Sequence, residues 1–311
     1  LDNSYPAVIA EKGWGMVYFQ LLPIKVKSKA HELVSVSGGL AQNQIPNVSK
    51  ALIKTENSSA LINKIHQIKD DFLKSIDGGS QCRIETSVKL KTVEISLFGV
   101  SAHSSTPQDG VNPIPRLLLF LKSLENSGEV FVLNSIWQSV LINENLLNTD
   151  HYGKLLGVAH HDSLMKDLTS ALTVFETIGD TISMQVNLRL VRGISLDTIQ
   201  QRITSKFNDL KIKHNLKASL KLELYKHWES TAKGFWLETL LDVYGKQTGK
   251  SAHPIASSGG TTAQQLPNAL SFGPAHAGEI YRGHTANEFK TVENFYGDLQ
   301  LFTEMLIRIS H

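Results

Sequence analysis

Arg282-Gly283-His284-Thr285-Ala286-Asn287-Glu288-Phe289 stands just before the last amphipathic stretch of the chain, and its reading decides what the C-terminal region is. Gly283 lets the backbone turn tightly ahead of the histidine. Asn287 can tie the loop down through its side chain, and Glu288 follows His284 at i+4. Neutral imidazole is a common zinc ligand, and its second nitrogen is usually oriented by a carboxylate or carbonyl. His284 is therefore a candidate metal ligand; the other reading is a loop histidine beside a helix cap.

The 311 residues exceed one ordinary domain and predict two. Apolar residues make up 41% and charged residues 19%, as expected of a soluble globular protein. A net charge of +2 gives no reason to expect a nucleic-acid partner. No apolar run approaches the about 20 residues that span a bilayer, so no membrane partner is expected. The single cysteine, Cys82, excludes a disulfide framework within the chain and favours a reducing, cytoplasmic compartment. Leu1-Asp2-Asn3-Ser4-Tyr5-Pro6 has neither the basic nor the apolar region of a signal peptide and no initiator Met, and reads as a chain entered mid-sequence.

Along the chain, Ala7–Ala10, Met16–Val26 and Glu32–Gly38 read as strands, with Pro23 arguing for an edge position. Leu61, Ile65, Ile68 and Phe72 recur near helical period and predict a helix over Ala60–Leu73. Val93–Val100 alternates as a strand, Asn112-Pro113 opens a helix to Leu124, and Leu133–Leu147 reads as another. Ala171–Glu176 and Thr181–Leu190 form a hairpin pattern, Ser195 opens a helix to about residue 207, and Ala218–Leu224 is a strand. Phe235–Tyr244 is helical, Leu270–Phe272 a strand, and Thr291 caps a last helix to about Ile309. Strand, loop, helix and strand recur twice between residues 15 and 226, with polar turns at Gly39–Pro46 and His103–Pro113 leading into the helices.

Most of the twelve histidines need no special role. His160-His161-Asp162 has a metal-ligand spacing but sits in a polar stretch and reads as a solvated turn, and His31, His66, His151, His214 and His253 read as surface residues. His103, directly after a strand in the small-residue loop Gly99–Pro107, can stabilise an oxyanion or donate a proton, or can simply cap the turn. Arg189 lies inside a strand; facing solvent it is ordinary, but facing a cleft its planar fork suits a carboxylate. Gly259-Gly260-Thr261 can offer backbone N–H groups to an anion or be a plain turn.

Taken in order, five segments resemble a known family. Asp2–Pro6 with Ile9-Ala10-Glu11-Lys12-Gly13, the Gly39–Pro46 segment around Asn43, the Gly99–Gly110 loop around His103, Gly259-Gly260-Thr261, and Gly283–Glu288 are similar to segments of the two-zinc metallopeptidases that include carnosinases, aminoacylases and desuccinylases. The match is nearest the bacterial dipeptidase V branch. The resemblance implies an α/β fold: part of a zinc-exopeptidase-like catalytic domain (residues 1–13 and 227–311) with an inserted two-half α+β lid domain (residues 14–226). It implies that Asp2 and His284 are ligands of different zinc ions, with manganese or cobalt as other metals for the pair. It implies that His103 is the lid histidine that stabilises the oxyanion, supplied by the same chain. It also implies that Asn43 lies near the substrate and that Arg189 with Gly259 and Gly260 holds its carboxylate.

The resemblance implies hydrolysis of dipeptides by a longer parent protein. The family also uses an N-terminal His-x-Asp, a bridging Asp and an adjacent Glu pair, one Glu serving as general base. Residues 1–311 contain no adjacent Glu pair, and their one His-x-Asp falls at His160, within the lid. The chain alone is therefore expected to be inactive. The rival readings are an N-acyl amino acid amidohydrolase, whose substrate is an acylated amino acid, and a non-catalytic interaction or binding module. Oligomeric state is left open.

Overall fold

Asn57, Asn112, Ser195 and Thr291 each stand where an apolar-periodic run begins, and each caps a helix by accepting a backbone N–H on its side-chain oxygen. Such a cap satisfies one of the donors that a helix start leaves open. The computed structural model describes residues 3–22, 31–127, 131–132, 150–179, 181–276 and 289–310. Pro23 and the expected helix over Leu133–Leu147 lie outside the described residues.

The elements run from β1 (Asn3–Ser4), β2 (Val8–Glu11) and β3 (Gly13–Leu22) to β4 (His31–Gly38), β5 (Gln44–Ile45) and β6 (Val48–Thr55). Helix α1 (Ser58–Ser75), β7 (Arg83–Lys89), β8 (Thr92–Phe98), β9 (Ala102–His103) and α2 (Pro113–Asn126) follow, then β10 (Phe131–Val132). Next come β11 (His161–Asp162), β12 (Lys166–Asp167), β13 (Thr169–Ile178), β14 (Thr181–Leu190), α3 (Leu196–Lys213) and β15 (Lys217–Tyr225). The chain closes with β16 (Trp228–Glu229), α4 (Phe235–Thr248), β17 (Ile255–Ser257), β18 (Pro274–Ala275) and α5 (Val292–Ile309).

These elements form two units. One comprises Trp14–His160 and Asp167–Tyr225, the other Leu1–Gly13, His161–Lys166 and Lys226–His311. The larger unit is built on a nine-stranded sheet ordered β15-β3-β14-β13-β4-β6-β8-β7, with β10 added parallel to β4. The hairpin of β13 and β14 is antiparallel, as are the pairs β4–β6, β6–β8 and β8–β7. Alternating burial along β6 and the apolar stripe of α1 (Leu61, Ile65, Phe72) give this unit its core, to which α2 adds Leu117, Phe120 and Leu121.

In the smaller unit Tyr5 is the centre of the core. Its ring stacks on Tyr244 at 5.3 Å and meets Phe272 edge-on at 4.8 Å, with Leu240, Val243 and Leu301 around them. Such aromatic pairs add about 0.5–1.5 kcal/mol beyond the area they bury. Helix α5 buries Leu301 and leaves Phe295, Tyr296, Leu299 and Ile307 exposed. No helix among the described residues is long and apolar enough to cross a membrane.

Several expectations change. β3 lies between β15 and β14, inside the sheet rather than at its edge, because β15 pairs along its whole length. The polar turn Gly39–Pro46 leads into strand β6 and not directly into a helix, so the two halves are less alike than the repeat pattern predicts. β7 escapes the periodicity because only Ile84 along it is buried. Leu270–Phe272 forms no strand; Ser271 makes a single bridge to Val8, and the left-handed φ of Gly273 ends the extended run. His31 is no surface residue: it is 4% exposed, and its Nδ1 lies 2.7 Å from Thr55 Oγ1, opposite it on the neighbouring strand.

At Gly39 the backbone has φ +80°, and a Cβ would come within 1.8 Å of Thr173 O. Gly39→Ala is expected to destabilise the protein by about 2 kcal/mol or more through backbone strain and the clash, read as a lower denaturant midpoint. An unchanged midpoint would mean that β4 ends without this close approach.

Candidate functional site

The loop that carries His103 is closed at its neck. Val100 and Val111 exchange backbone hydrogen bonds at 3.0 and 2.9 Å, and at Gly99 a Cβ would come 2.1 Å from Val111 O, so only glycine fits there. Inside this neck, β9 pairs antiparallel with β5, placing His103 opposite Gln44 and Ala102 opposite Ile45. The segment around Asn43 is thereby drawn onto the histidine loop, and the Ser104 backbone N–H donates to Asn43 O at 2.9 Å. The Asn43 side chain is exposed.

His103 is half-buried. Its Nδ1 lies 2.7 Å from Ser105 Oγ and accepts the Ser105 backbone N–H at 3.3 Å. A backbone N–H can only donate, so Nδ1 is the unprotonated nitrogen and the neutral ring carries its proton on Nε2. The ring is thus set as an N–H donor through Nε2, the form that an oxyanion requires.

Arg189 comes to the same place from β14. A strand-interior arginine is ordinarily exposed, but this one is 7% exposed. Its Nη2 donates to Ser104 Oγ at 3.5 Å, its Nε has no hydrogen-bond partner, and it makes no ion pair among the described residues. Burial pulls the guanidinium down to about 10. A buried cation without a counter-charge is costly, so this arrangement is suited to an anion brought from outside. Asn43, His103 and Arg189 therefore meet around Ser104, a residue to which the sequence reading assigned no role.

Gly259 and Gly260 belong to the smaller unit. The Gly259 N–H turns back to Ser257 Oγ at 3.2 Å. The next donors are occupied by the chain itself: Thr261 N and Thr261 Oγ1 donate to the Glu11 carboxylate at 2.8 and 2.6 Å, and Asn3 Nδ2 donates to it at 3.1 Å. Glu11 is fully buried. It is the anion that this turn already holds, and it ties the start of the chain to the Gly259-Gly260-Thr261 turn.

A second buried carboxylate, Asp298, accepts from Tyr5 Oη at 2.9 Å, lies 3.2 Å from His276 Nε2, and pairs with Lys290 Nζ. Burial first, then the bond to Asp298, pushes the Tyr5 hydroxyl far up, so it remains a donor. Asp2 and His284 lie outside the described residues. Among the described residues no three His, Cys, Asp or Glu side chains gather as a metal site, and His160-His161-Asp162 does not make one either. Asp162 instead caps its own turn, accepting from the Leu164 and Met165 backbone at 2.9 and 2.7 Å.

Comparison with known proteins shows what this chain is similar to. Residues 87–153 match the model of the M20 peptidase dimerisation domain. Across 99% of its length the chain is 27% identical to the Beta-Ala-Xaa dipeptidase of Lactobacillus delbrueckii subsp. lactis and covers 62% of that protein. Among solved structures, the aminoacylhistidine dipeptidase of Vibrio alginolyticus aligns over 97% of this chain and 62% of its own, at TM-score 0.43 and 11% identity. Human carnosine dipeptidase 1 aligns over 99% and 57%, at TM-score 0.41 and 11% identity. The similarity to the M20 model thus covers residues 87–153, and the chain spans 62% of the length of the curated relative it matches.

Proposed function

We propose that the whole protein hydrolyses dipeptides at their peptide bond, with zinc as its metal and Asp2 and His284 among the ligands. The observation that carries this reading is that His103, the Asn43 backbone and a buried Arg189, without an ion pair among the described residues, come together around Ser104. A dipeptide has one carboxylate and one scissile carbonyl, and the larger unit presents a donor for each. The curated relatives named as dipeptidases support the same activity.

Arg189 holds the C-terminal carboxylate by charge-assisted hydrogen bonds, which are about twice as strong as neutral ones. His103 donates a hydrogen bond from its Nε2–H to the carbonyl oxygen as negative charge builds there. Asn43, whose backbone carbonyl is tied to Ser104, lies near the substrate on this reading. The residues 14–226 act as the lid that brings these groups to the substrate, and residues 1–13 and 227–311 belong to the catalytic domain. Bound zinc supplies Lewis acidity toward the carbonyl and the attacking water.

The whole protein supplied with zinc is expected to hydrolyse alanylalanine, and a chelator to abolish the reaction, read by ninhydrin assay of the released amino acid. Residues 1–311 alone, which contain no adjacent Glu pair, are expected to be inactive. Faster turnover of N-acetylalanine than of alanylalanine would move the assignment to acylated amino acids, since Arg189 serves either carboxylate. Zinc-dependent turnover of neither would leave a binding module.

A further inference from the structure

Arg189 is held by a relay that no catalytic reading requires. Its Nη2 donates to Ser104 Oγ at 3.5 Å, Ser104 Oγ donates to Asn187 Oδ1 at 2.9 Å, and Asn187 Nδ2 donates to Met16 Sδ at 3.3 Å. Ser104 and Asn187 are both fully buried. The direction of the relay is forced. A guanidinium can only donate, so Ser104 accepts from it and spends its one hydroxyl proton on Asn187; this in turn sets which way the Asn187 amide faces.

Asn187 and Arg189 are two residues apart on β14 and so share a face of the sheet. Ser104 is fixed independently through its backbone N–H to Asn43 O. Burying two polar side chains costs free energy that an apolar pair of the same shape would avoid. Here they orient one terminal nitrogen of Arg189 and leave Nε–H without a partner among the described residues.

We propose that Ser104 and Asn187 are positioning residues that fix the plane of the Arg189 guanidinium, so that its remaining donors meet the carboxylate of the substrate edge-on. The pair thereby sets the preference for a free C-terminal carboxylate over an amide. This rests on the reading that Arg189 binds that carboxylate. A planar fork matches a carboxylate only when the two planes are aligned, so losing the relay weakens binding of the acid without touching the groups at the scissile bond.

The test is steady-state kinetics of the whole protein on alanylalanine and on its C-terminal amide. Ser104→Ala is expected to raise KM for the acid roughly three- to tenfold, with kcat within about twofold and KM for the amide unmoved. Asn187→Leu, one bond further from the guanidinium, is expected to give the same split at smaller size. In an Arg189→Met background Ser104→Ala is expected to add nothing, since the two act through one contact. Equal loss on acid and amide, or an undiminished effect in the Arg189→Met background, overturns the proposal by making Ser104 merely structural. If Arg189→Met moves the acid's KM while neither relay variant does, the relay fails and the carboxylate reading stands. If Arg189→Met leaves that KM unchanged, the carboxylate reading fails and the relay with it.

Discussion

Replacing His103 with alanine is expected to lower kcat for dipeptide hydrolysis by about 10²–10³ and to leave KM within a few-fold. That is the cost of removing one preorganised donor to an oxyanion. The ring is prepared for this role by Ser105, whose backbone N–H occupies Nδ1 and leaves the proton on Nε2. A donor that acts only as charge develops changes kcat and not substrate affinity. His103→Gln keeps an N–H donor of similar reach and is expected to recover part of the rate. The loop itself is held by the Val100–Val111 bonds and by β5, neither of which involves the imidazole, so the unfolding midpoint is expected to move little. A His103→Ala protein with kcat unchanged would remove His103 from the chemistry.

Arg189→Met is expected to act in opposite directions on catalysis and stability. On the proposed reading it removes a charged partner of the substrate carboxylate, a loss of about 2–5 kcal/mol, or about thirtyfold to several thousandfold in kcat/KM, mostly through KM. In the absence of substrate the same guanidinium is buried with an unpaired Nε and no ion pair among the described residues. Methionine of similar length removes that uncompensated charge. The variant is therefore expected to be more stable by about 1–3 kcal/mol, read as a raised Tm. Sites that hold a strained or unpaired group for function commonly show this trade. A variant that loses both activity and stability would mean that Arg189 is a structural cation with a counter-charge.

The helices were legible because their signals are local. Asn57, Asn112, Ser195 and Thr291 are caps whose side chains reach only two or three residues along the chain. The stripe of Leu61, Ile65 and Phe72 likewise repeats within one element. The hairpin of β13 and β14 was legible for the same reason: Ile178-Gly179-Asp180 separates two strand-like runs. β7 was not, because it buries little and is held by its neighbour β8 rather than by its own pattern. His31 looked like a surface residue among polar neighbours, and its burial depends on Thr55 across the sheet.

The candidate site divides along the same line. The residue types in the His103 loop and the order of the five segments can be read directly from the chain, since small residues, a histidine after a strand and glycine turns are properties of short stretches. Whether Arg189 faces water or the interior could not be read, because alternation along β14 is the same for either face of the sheet until something packs on it. Ser104 lies 85 residues from Arg189 and 83 from Asn187. A serine in a loop carries no mark of such partners. Glu11 likewise reads as one more charged residue until Thr261, 250 residues away, closes on it. Local sequence specifies caps, periodicities and turns because their interactions span a few residues. Burial, hydrogen-bond partners and unpaired charge depend on which distant segments the fold brings together, and only the folded chain decides them.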